Sequence, residues 1–327
     1  MTLNEDDIIQ HLALSFATLP AGVRGIGDDA AVFPADGGRS YLVSTDILAE
    51  NVHFRLGYFS PEDLAHKALH VNLSDITAMG ARPSLALLSL SVPPHVDETW
   101  MRRFLDAFAK ECKAQNVTLI GGDTTASRHD LFISVTAIGH AAPTQIKYRR
   151  GAKMGDVICV AGTLGEAGAG LALLEKNIAG FDIVKAKCLH PMALVEEGAW
   201  FALKPQITSM MDISDGLYTD LGRMMEKSGL GAALICEMLR PSPALAEASA
   251  ALQKDVLHYM LTGGEDYALL FTVAANAWSA IEQDFAQKFH YKLQKIGIVN
   301  ADKGITLMQN GAEVPFRYKS FSHFGEN

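Results

Sequence analysis

The sequence has 327 residues, a length that favours two domains over a single hydrophobic core. Its formal net charge is −9 and it contains no long run of Lys and Arg, which excludes the usual signature of a nucleic-acid-binding protein. The four cysteines form no CxxC pair, and neither a signal pattern nor a run of about 18 apolar residues occurs. We therefore expect a cytoplasmic protein without disulfides, a zinc site or a membrane segment.

The first half of the chain predicts a mixture of helices and strands. An amphipathic helix is expected over residues 4–17, because acidic residues in its first turn precede an apolar stripe. A helix over residues 61–79 should begin with Ser60, Pro61 and Asp63 as a capping box, and another helix should cover residues 97–114. The predicted strands are residues 41–44, 84–92, 117–120 and 131–139.

A domain boundary is predicted at the basic stretch around Tyr148 and Arg149, which separates residues 1–148 from residues 149–327. The second part should contain helices at residues 166–176, 191–202 and 216–228. Its strands are expected at residues 156–161, 207–211, 231–236, 267–273 and 293–299. Asn310-Gly311 between two short apolar strands predicts a terminal hairpin with a type I′ turn. Strands and helices in this order indicate an α+β protein.

Aspartates recur in segments of small residues, which points to a divalent metal. A lone carboxylate beside Gly, Ser or Thr is usually a turn or cap residue, but five such segments in one chain are harder to explain in that way. Mg²⁺ takes oxygen ligands and is commonly shared between carboxylates and phosphates. The segments are Gly27-Asp28-Asp29-Ala30, Ser44-Thr45-Asp46, Leu73-Ser74-Asp75, Gly121-Gly122-Asp123-Thr124 and Asp212-Ile213-Ser214-Asp215-Gly216.

Common nucleotide and calcium motifs do not account for these segments. Residues 25–30 match G-x-G-x-x-A, but no hydrophobic strand precedes them and two acids stand where a pyrophosphate would lie. The P-loop and the protein-kinase motifs do not occur in the sequence. The spacing of Asp212, Asp215 and Gly216 also fails the EF-hand rule. A protein of this sequence that uses ATP needs another fold.

Three of the segments have a specific structural alternative. Asp75 falls on the apolar stripe of the helix over residues 61–79, so it needs either a metal or a cationic partner such as Lys67 or Arg82. Asp46 should end the strand that begins at residue 41, with a helix or turn cap as the alternative role, and Asp123 should follow a Gly-Gly turn after the strand 117–120. Asp212 and Asp215 flank the start of a helix, where Ser214 or Asp215 could be the N-cap.

Taken together and in order, these motifs resemble those of the thiamine-monophosphate kinases. The resemblance runs from residues 25–30 through the segments at 44–46, 71–75, 78–81, 121–124 and 212–216 to Gly263-Gly264-Glu265-Asp266-Tyr267. That family belongs to a superfamily with aminoimidazole ribonucleotide synthetase, selenophosphate synthetase and the hydrogenase maturation dehydratase. The first cysteine is Cys112 and the last residues contain none, which disfavours the latter two enzymes. A metal-binding or nucleotide-binding protein without catalysis is the other alternative.

The resemblance implies a site as well as a fold. It implies two α/β-sandwich-type domains, the first with a mixed sheet that pairs in a homodimer and the second with a sheet and packed helices. It implies transfer of the γ-phosphate of ATP to thiamine monophosphate with several Mg²⁺ ions. The first domain is then expected to bind metal and ATP, and the second to complete the nucleotide and substrate sites. The implied ATP contacts are Gly122, Asp123, Arg149 and Ser214, and the implied thiamine phosphate contacts are His53, Glu265 and Tyr318. The implied Mg²⁺ ligands are Asp29, Ser44, Thr45, Asp46, Asp75, Asp123, Asp212 and Asp215.

Overall fold

The structure, a computed structural model, describes residues 5–318 and begins with a helix and a five-stranded mixed sheet. The sheet order is β1-β2-β5-β3-β4, in which β3 and β4 are parallel and the other pairs are antiparallel. The mixed sheet of the first domain is therefore as predicted. The elements are α1 (Glu5–Ser15), β1 (Ala31–Ala35), β2 (Arg39–Ala49), α2 (Pro61–Ala78), β3 (Arg82–Val92), α3 (Glu98–Ala114), β4 (Thr118–Ala126) and β5 (Phe132–Ala141).

Helix α2 is the central element of the molecule. Its start has the predicted capping box, since the Ser60 hydroxyl accepts the Asp63 amide and the Asp63 carboxylate accepts the Ser60 amide. One face of α2 packs on β2 and β5, and another face contacts the second domain. Leu64, Ala68 and Leu69 of this helix are fully buried, so its position is fixed by packing on both sides.

The second domain is built on a seven-stranded sheet with helices packed against it. The strand order is β12-β11-β8-β10-β6-β9-β7, and only the β8–β11 pair is parallel. The strands are β6 (Val157–Ala161), β7 (Ile207–Asp212), β8 (Gly231–Ile235), β9 (Leu269–Val273), β10 (Gln294–Asn300), β11 (Gly304–Gln309) and β12 (Ala312–Val314). The helices are α4 (Glu166–Glu175), α5 (Asp182–Leu189), α6 (Val195–Ala202), α7 (Leu217–Ser228), α8 (Pro243–Ala251), α9 (Val256–Thr262) and α10 (Trp278–Phe289). The two-domain α+β fold is confirmed.

Several elements differ from the sequence prediction. The sequence pattern does not predict β1, α5, α8, α9 and α10, and the helix predicted over residues 191–202 begins only at Val195. Helix α1 was predicted from residue 4, which lies outside the described residues. The hairpin is confirmed, because Asn310 and Gly311 both have positive φ between β11 and β12, as a type I′ turn requires.

The Gly-Gly turn predicted after residue 120 is wrong, because β4 continues through these glycines as far as Ala126. Gly122 pairs with Leu88 of the parallel neighbour, and a Cβ at Gly122 would lie 1.7 Å from the Leu88 carbonyl oxygen. Glycine is needed here for close strand approach and not for a turn. Strand β2 likewise continues past Asp46 and pairs with β5 as far as Ala49.

Among residues 5–318, none of the helices combines the length and the apolar character that crossing a membrane requires.

The two domains pack against each other. One cluster of buried apolar residues, most of them from the first domain, also includes Cys188, Ala193 and Tyr267 of the second. Residue Ala78 of α2 packs in turn into a cluster built from the second sheet. The groups carried by α2 therefore lie at a well-packed domain junction.

Candidate metal and nucleotide site

Three aspartates from distant parts of the chain converge at this junction. Asp29 precedes β1, Asp75 lies in the last turns of α2, and Asp212 ends β7 of the second domain. One carboxylate oxygen from each lies within 4.8 Å of the others. We call Asp29, Asp75 and Asp212 the central cluster. Both domains contribute to it, so it exists only in the assembled fold.

The three carboxylates of the central cluster would repel one another strongly if all were ionised with no cation present. Burial raises the pKa of Asp75 well above its usual value, and the nearby carboxylates of Asp46, Asp212 and Asp29 raise it further. Burial and the charge of Asp29 raise the pKa of Asp212 in the same direction. The Asp29 Oδ2 atom is buried and has no hydrogen-bond partner among the described residues. Hard oxygen donors, excess negative charge and a buried unpartnered oxygen fit a divalent cation such as Mg²⁺.

Further carboxylates surround the central cluster. Asp46 keeps solvent-exposed surface, yet loss of hydration at its carboxylate raises its pKa to about 6, with contributions from Asp215 and Glu5. Asp215 forms an ion pair with Arg223. The buried Asp220 was missed by the sequence analysis, and burial together with Asp215 raises its pKa to about 7. The region thus concentrates negative charge well beyond the central cluster.

The two capping alternatives for the segment before α7 are wrong. The N-cap position is Gly216, which offers no side chain, so neither Ser214 nor Asp215 caps the helix. Instead the Asp220 carboxylate, from within the first turn, accepts the amides of Ser214 and Asp215 at 3.1 and 3.0 Å. This holds the turn between β7 and α7 in place, and leaves the side chains of Ser214 and Asp215 to other contacts.

The cationic partners considered for Asp75 are also wrong. Lys67 pairs with Glu265 at 2.6 Å, and Arg82 pairs with Glu196 at 2.8 Å. Asp75 instead accepts a hydrogen bond from the Ser44 hydroxyl. The preceding residue, Ser74, donates to Asp212 Oδ2 at 2.5 Å and was not identified from the sequence. Adjacent residues of α2 thus contact both domains at the central cluster.

Arg149 is the cation closest to the central cluster in the contacts that the structure describes. Its Nε and Nη2 atoms donate to Asp29 Oδ1 at 3.0 and 2.6 Å, and its backbone amide donates to Asp28 at 2.8 Å. The Asp29 charge keeps the Arg149 pKa raised despite burial. Arg149 lies between β5 and β6, and the preceding Tyr148 carbonyl accepts the Met210 amide of β7 at 3.0 Å, so this ion pair joins Asp29 of the first domain to a segment that is bonded to the second sheet.

Two implied metal ligands on the first sheet do not join the central cluster. The Thr45 hydroxyl donates to the Val135 carbonyl at 3.3 Å and accepts from Thr136, on the face opposite Ser44. The exposed Asp123 lies on the edge strand β4 and accepts the Thr124 amide at 2.9 Å.

The sheet places Asp123 one residue beyond the row of Asp46, in the row of Ile47, Ser134 and Ser89. The register runs from Asp46 through Val135 and Leu88 to Gly122, so three strand spacings of about 4.8 Å separate the two ends of this row. Asp123 follows Gly122 at the far end. Because successive side chains of a strand point to opposite faces, Asp46 and Asp123 stand on opposite faces of the sheet, with their strands about 14 Å apart.

The implied acceptor contacts are brought together only in part. The Lys67 ammonium donates to the His53 carbonyl at 3.1 Å and pairs with Glu265, so these two residues lie close together. Tyr318 lies elsewhere, because its hydroxyl donates to Asp255 at the N-cap of α9. Glu265 follows the other end of α9, and a helix of seven residues is about 10 Å long.

A second group with metal-ligand side chains, His66, His70 and Glu111, lies between α2 and α3. The His70 Nδ1 atom accepts the Ala193 amide at 3.2 Å, so the neutral ring carries its proton on Nε2. That nitrogen then has no lone pair to offer a metal and faces Glu111 at 3.7 Å instead. The group therefore connects α2 to the segment around Pro191 and Ala193 by hydrogen bonds.

Comparisons with known proteins agree with the fold and the motifs. The family models described as AIR synthase related protein, N-terminal domain and C-terminal domain, match residues 27–141 and 153–310. The thiamine-monophosphate kinase of Haemophilus influenzae is 35% identical and aligns over 100% of both chains. That of Escherichia coli K12 is 36% identical over 92% of this chain and 91% of the relative.

Solved structures give the same result. One described as AaThiL complexed with AMPPCP and TMP has a TM-score of 0.86 at 30% identity and covers 98% of this chain and 97% of that chain. The thiamine-monophosphate kinase of Stenotrophomonas maltophilia has a TM-score of 0.77 at 32% identity and covers 94% and 96% of the two chains. The hydrogenase maturation protein HypE, at 18% identity and a TM-score of 0.72, shares the fold and covers 93% of each chain.

Proposed function

We propose, because the chain belongs to the thiamine-monophosphate kinase family of the AIR synthase related proteins, that it transfers the γ-phosphate of ATP to thiamine monophosphate. The products are thiamine diphosphate and ADP. The observation that carries this proposal is the central cluster, whose carboxylates come from both domains and lie within 4.8 Å of one another. The relative described as bound to AMPPCP and TMP supports the same pair of substrates.

The acceptor chemistry needs no general base from the protein. The second pKa of a phosphate monoester is near 6, so its oxygen is already mostly ionised at neutral pH. The task of the protein is to align two anions and to offset their repulsion, which is positioning and electrostatics. When bound, Mg²⁺ supplies the positive charge that brings the phosphates to an acidic site.

The residues of the chain divide this task by position. Asp29, Asp75 and Asp212 form the centre of the metal site, and Arg149 holds the Asp29 carboxylate in place. Ser44 orients Asp75 by donating to it, and Ser74 does the same for Asp212. The remaining proposed Mg²⁺ ligands are Thr45, Asp46, Asp123 and Asp215, and the proposed ATP contacts are Gly122, Asp123, Arg149 and Ser214.

The test of the function is a coupled assay of ADP release with ATP, Mg²⁺ and one acceptor at a time. We expect turnover with thiamine monophosphate and none with thiamine or with an aminoimidazole ribonucleotide precursor. Mass spectrometry of the product should show thiamine diphosphate. ADP release with the precursor alone would instead assign the chain to another member of the superfamily. ATP binding without ADP release under any condition would indicate a nucleotide-binding protein without catalysis.

We also propose that the chain is a homodimer that pairs through its first domain. Strand β4 is the edge of the first sheet and is exposed along its whole length. It presents Leu119 and Ile120, which are 46% and 53% exposed, beside unpaired backbone groups. Such an edge favours addition of another strand or sheet.

We also propose that the protein is cytoplasmic, because a reducing compartment keeps its four free cysteines reduced.

For the homodimer, light scattering after size exclusion should give twice the mass of the chain. The double substitution of Leu119→Glu and Ile120→Glu should give a monomer, because charges opposed across an apolar contact cost several kcal/mol. Ile183→Glu, at a residue of α5 that is 70% exposed, is the matched control and should leave the dimer intact. A wild-type protein that elutes as a monomer at micromolar concentration would contradict the proposal.

A further inference from the structure

Lys67 is a charged side chain that lies fully inside the protein. It occupies the middle of α2, and its side chain has 0% exposure. An ammonium group in such a place costs several kcal/mol unless it is paired and hydrogen-bonded. A neutral side chain of similar length would pack there at lower cost, which indicates that the charge itself has a role.

The contacts of Lys67 connect both domains. Its Nζ atom lies 2.6 Å from Glu265 Oε1 of the second domain and 3.1 Å from the carbonyl oxygen of His53 of the first domain. It also lies 5.2 Å from the centre of the Phe59 ring, a favourable position for a cation. One buried ammonium thus binds the two loops that carry His53 and Glu265.

The backbone and the side chain of Glu265 are held by different partners. The Glu265 amide donates to the Ser214 carbonyl at 2.8 Å, which fixes the backbone beside the metal site. The residue has a φ of 64°, a left-handed conformation that is uncommon outside glycine. The carboxylate is oriented by Lys67, while the side chain keeps 26% exposure through which a ligand can reach it.

We propose that Lys67 is a positioning residue for the acceptor: it holds the Glu265 carboxylate and the His53 loop in the arrangement that thiamine monophosphate binds. This inference rests on the proposed function and adds a residue to it. Because Lys67 has no exposed surface, it acts through Glu265 and His53 and not by touching the substrate. Since Oε1 is engaged in the ion pair with Lys67, we expect the aminopyrimidine to donate a hydrogen bond to Oε2.

The position of Lys67 predicts which kinetic constant it controls. Preorganised contacts lower the cost of binding, so loss of the contact that holds the Glu265 carboxylate and the His53 loop weakens the binding of the acceptor. Loss of the Lys67 charge should therefore raise the KM for thiamine monophosphate. The KM for ATP should change little, because the described contacts of Lys67 include none of the proposed ATP residues, and the proposed ATP contact Ser214 is bonded to the backbone of Glu265 and not to the carboxylate that Lys67 holds.

The experiment compares Lys67→Met and Lys67→Gln with Lys147→Met in the full-length protein. Lys147 is the matched control, a buried lysine near the domain junction that donates to the carbonyls of Lys204 and Ile207 at 2.8 and 3.3 Å. We expect Lys67→Met to raise the KM for thiamine monophosphate about ten-fold or more, with the KM for ATP within about two-fold. Lys67→Gln retains a hydrogen-bond donor and should give a smaller increase. Lys147→Met should lower the melting temperature without changing either KM.

A double-mutant cycle separates positioning from general destabilisation. If Lys67 acts through Glu265, Lys67→Met should raise the KM less in a Glu265→Gln background than in the wild type. Equal effects in both backgrounds, or equal increases in both KM values, would overturn the inference. Its failure is distinct from failure of the proposed function, in which the wild-type protein itself would produce no thiamine diphosphate.

Discussion

Asp75→Asn should reduce the rate of ADP release by at least about 100-fold while the protein stays folded. The substitution keeps the volume of the side chain but removes one anionic ligand from the centre of the proposed metal site. Asp75 is the right residue for this test because it lies among Asp29, Asp46 and Asp212, all of which raise its pKa. The rate is measured at saturating ATP and thiamine monophosphate over a range of Mg²⁺ concentrations.

Stability should change in the opposite direction to activity. Without Mg²⁺, the carboxylates repel one another in a buried place, so removal of one charge should keep or raise the melting temperature, by about 1 to 2 °C for each kcal/mol gained in a chain of this length. Addition of Mg²⁺ should stabilise the wild type more than Asp75→Asn, because only the wild type has the complete ligand set.

The control for this prediction is Asp36→Asn, at an exposed aspartate in the short turn between β1 and β2. It changes the net charge by the same amount and should leave both turnover and the Mg²⁺ response unaltered. Turnover of Asp75→Asn within about three-fold of the wild type at high Mg²⁺ would remove the metal assignment from Asp75.

The sequence was informative where local chemistry decides the structure. Helix α2 could be located because Ser60, Pro61 and Asp63 form a local start signal, and the hairpin because Asn310-Gly311 favours positive φ. Asp75 stood out as an acid on an apolar stripe, and the structure places it beside Asp29 and Asp212. These features depend on neighbours a few residues away in the chain.

The rest depended on contacts between distant segments. Lys67 and Arg82 were plausible partners for Asp75 by proximity in sequence, but they pair with Glu265 and Glu196, which lie more than 100 residues away. The two glycines of β4 suggested a turn. Their actual role, to let β4 approach the parallel strand β3 closely, is visible only from the pairing of these two strands. Asp220 could not be identified from the sequence, because a residue that caps a helix usually precedes it. Asp220 lies inside α7 and its carboxylate accepts the amides of Ser214 and Asp215, which precede the helix.

Removal of the Arg149 guanidinium should produce the largest loss of stability. In Arg149→Met the buried Asp29 loses the cation that donates to it at 2.6 and 3.0 Å, while its other oxygen already has no partner among the described residues. An unpaired buried charge costs about 3 kcal/mol or more. We expect a decrease of this size in the free energy of unfolding, measured by urea denaturation in a chelator, and a KM for ATP raised about ten-fold or more.

Arg82→Met is the matched control, because the ion pair of Arg82 with Glu196 also joins the two domains but its side chains are 55% and 64% exposed. Exposed pairs contribute at most about 1 kcal/mol, so the control should be close to the wild type. Mg²⁺ then distinguishes the role of Asp29. A cation bound beside Asp29 replaces part of the lost charge, so added Mg²⁺ should narrow the difference in stability between Arg149→Met and the wild type. If the difference stays the same at saturating Mg²⁺, Asp29 does not bind the metal, and its pairing with Arg149 serves only to hold the two domains together.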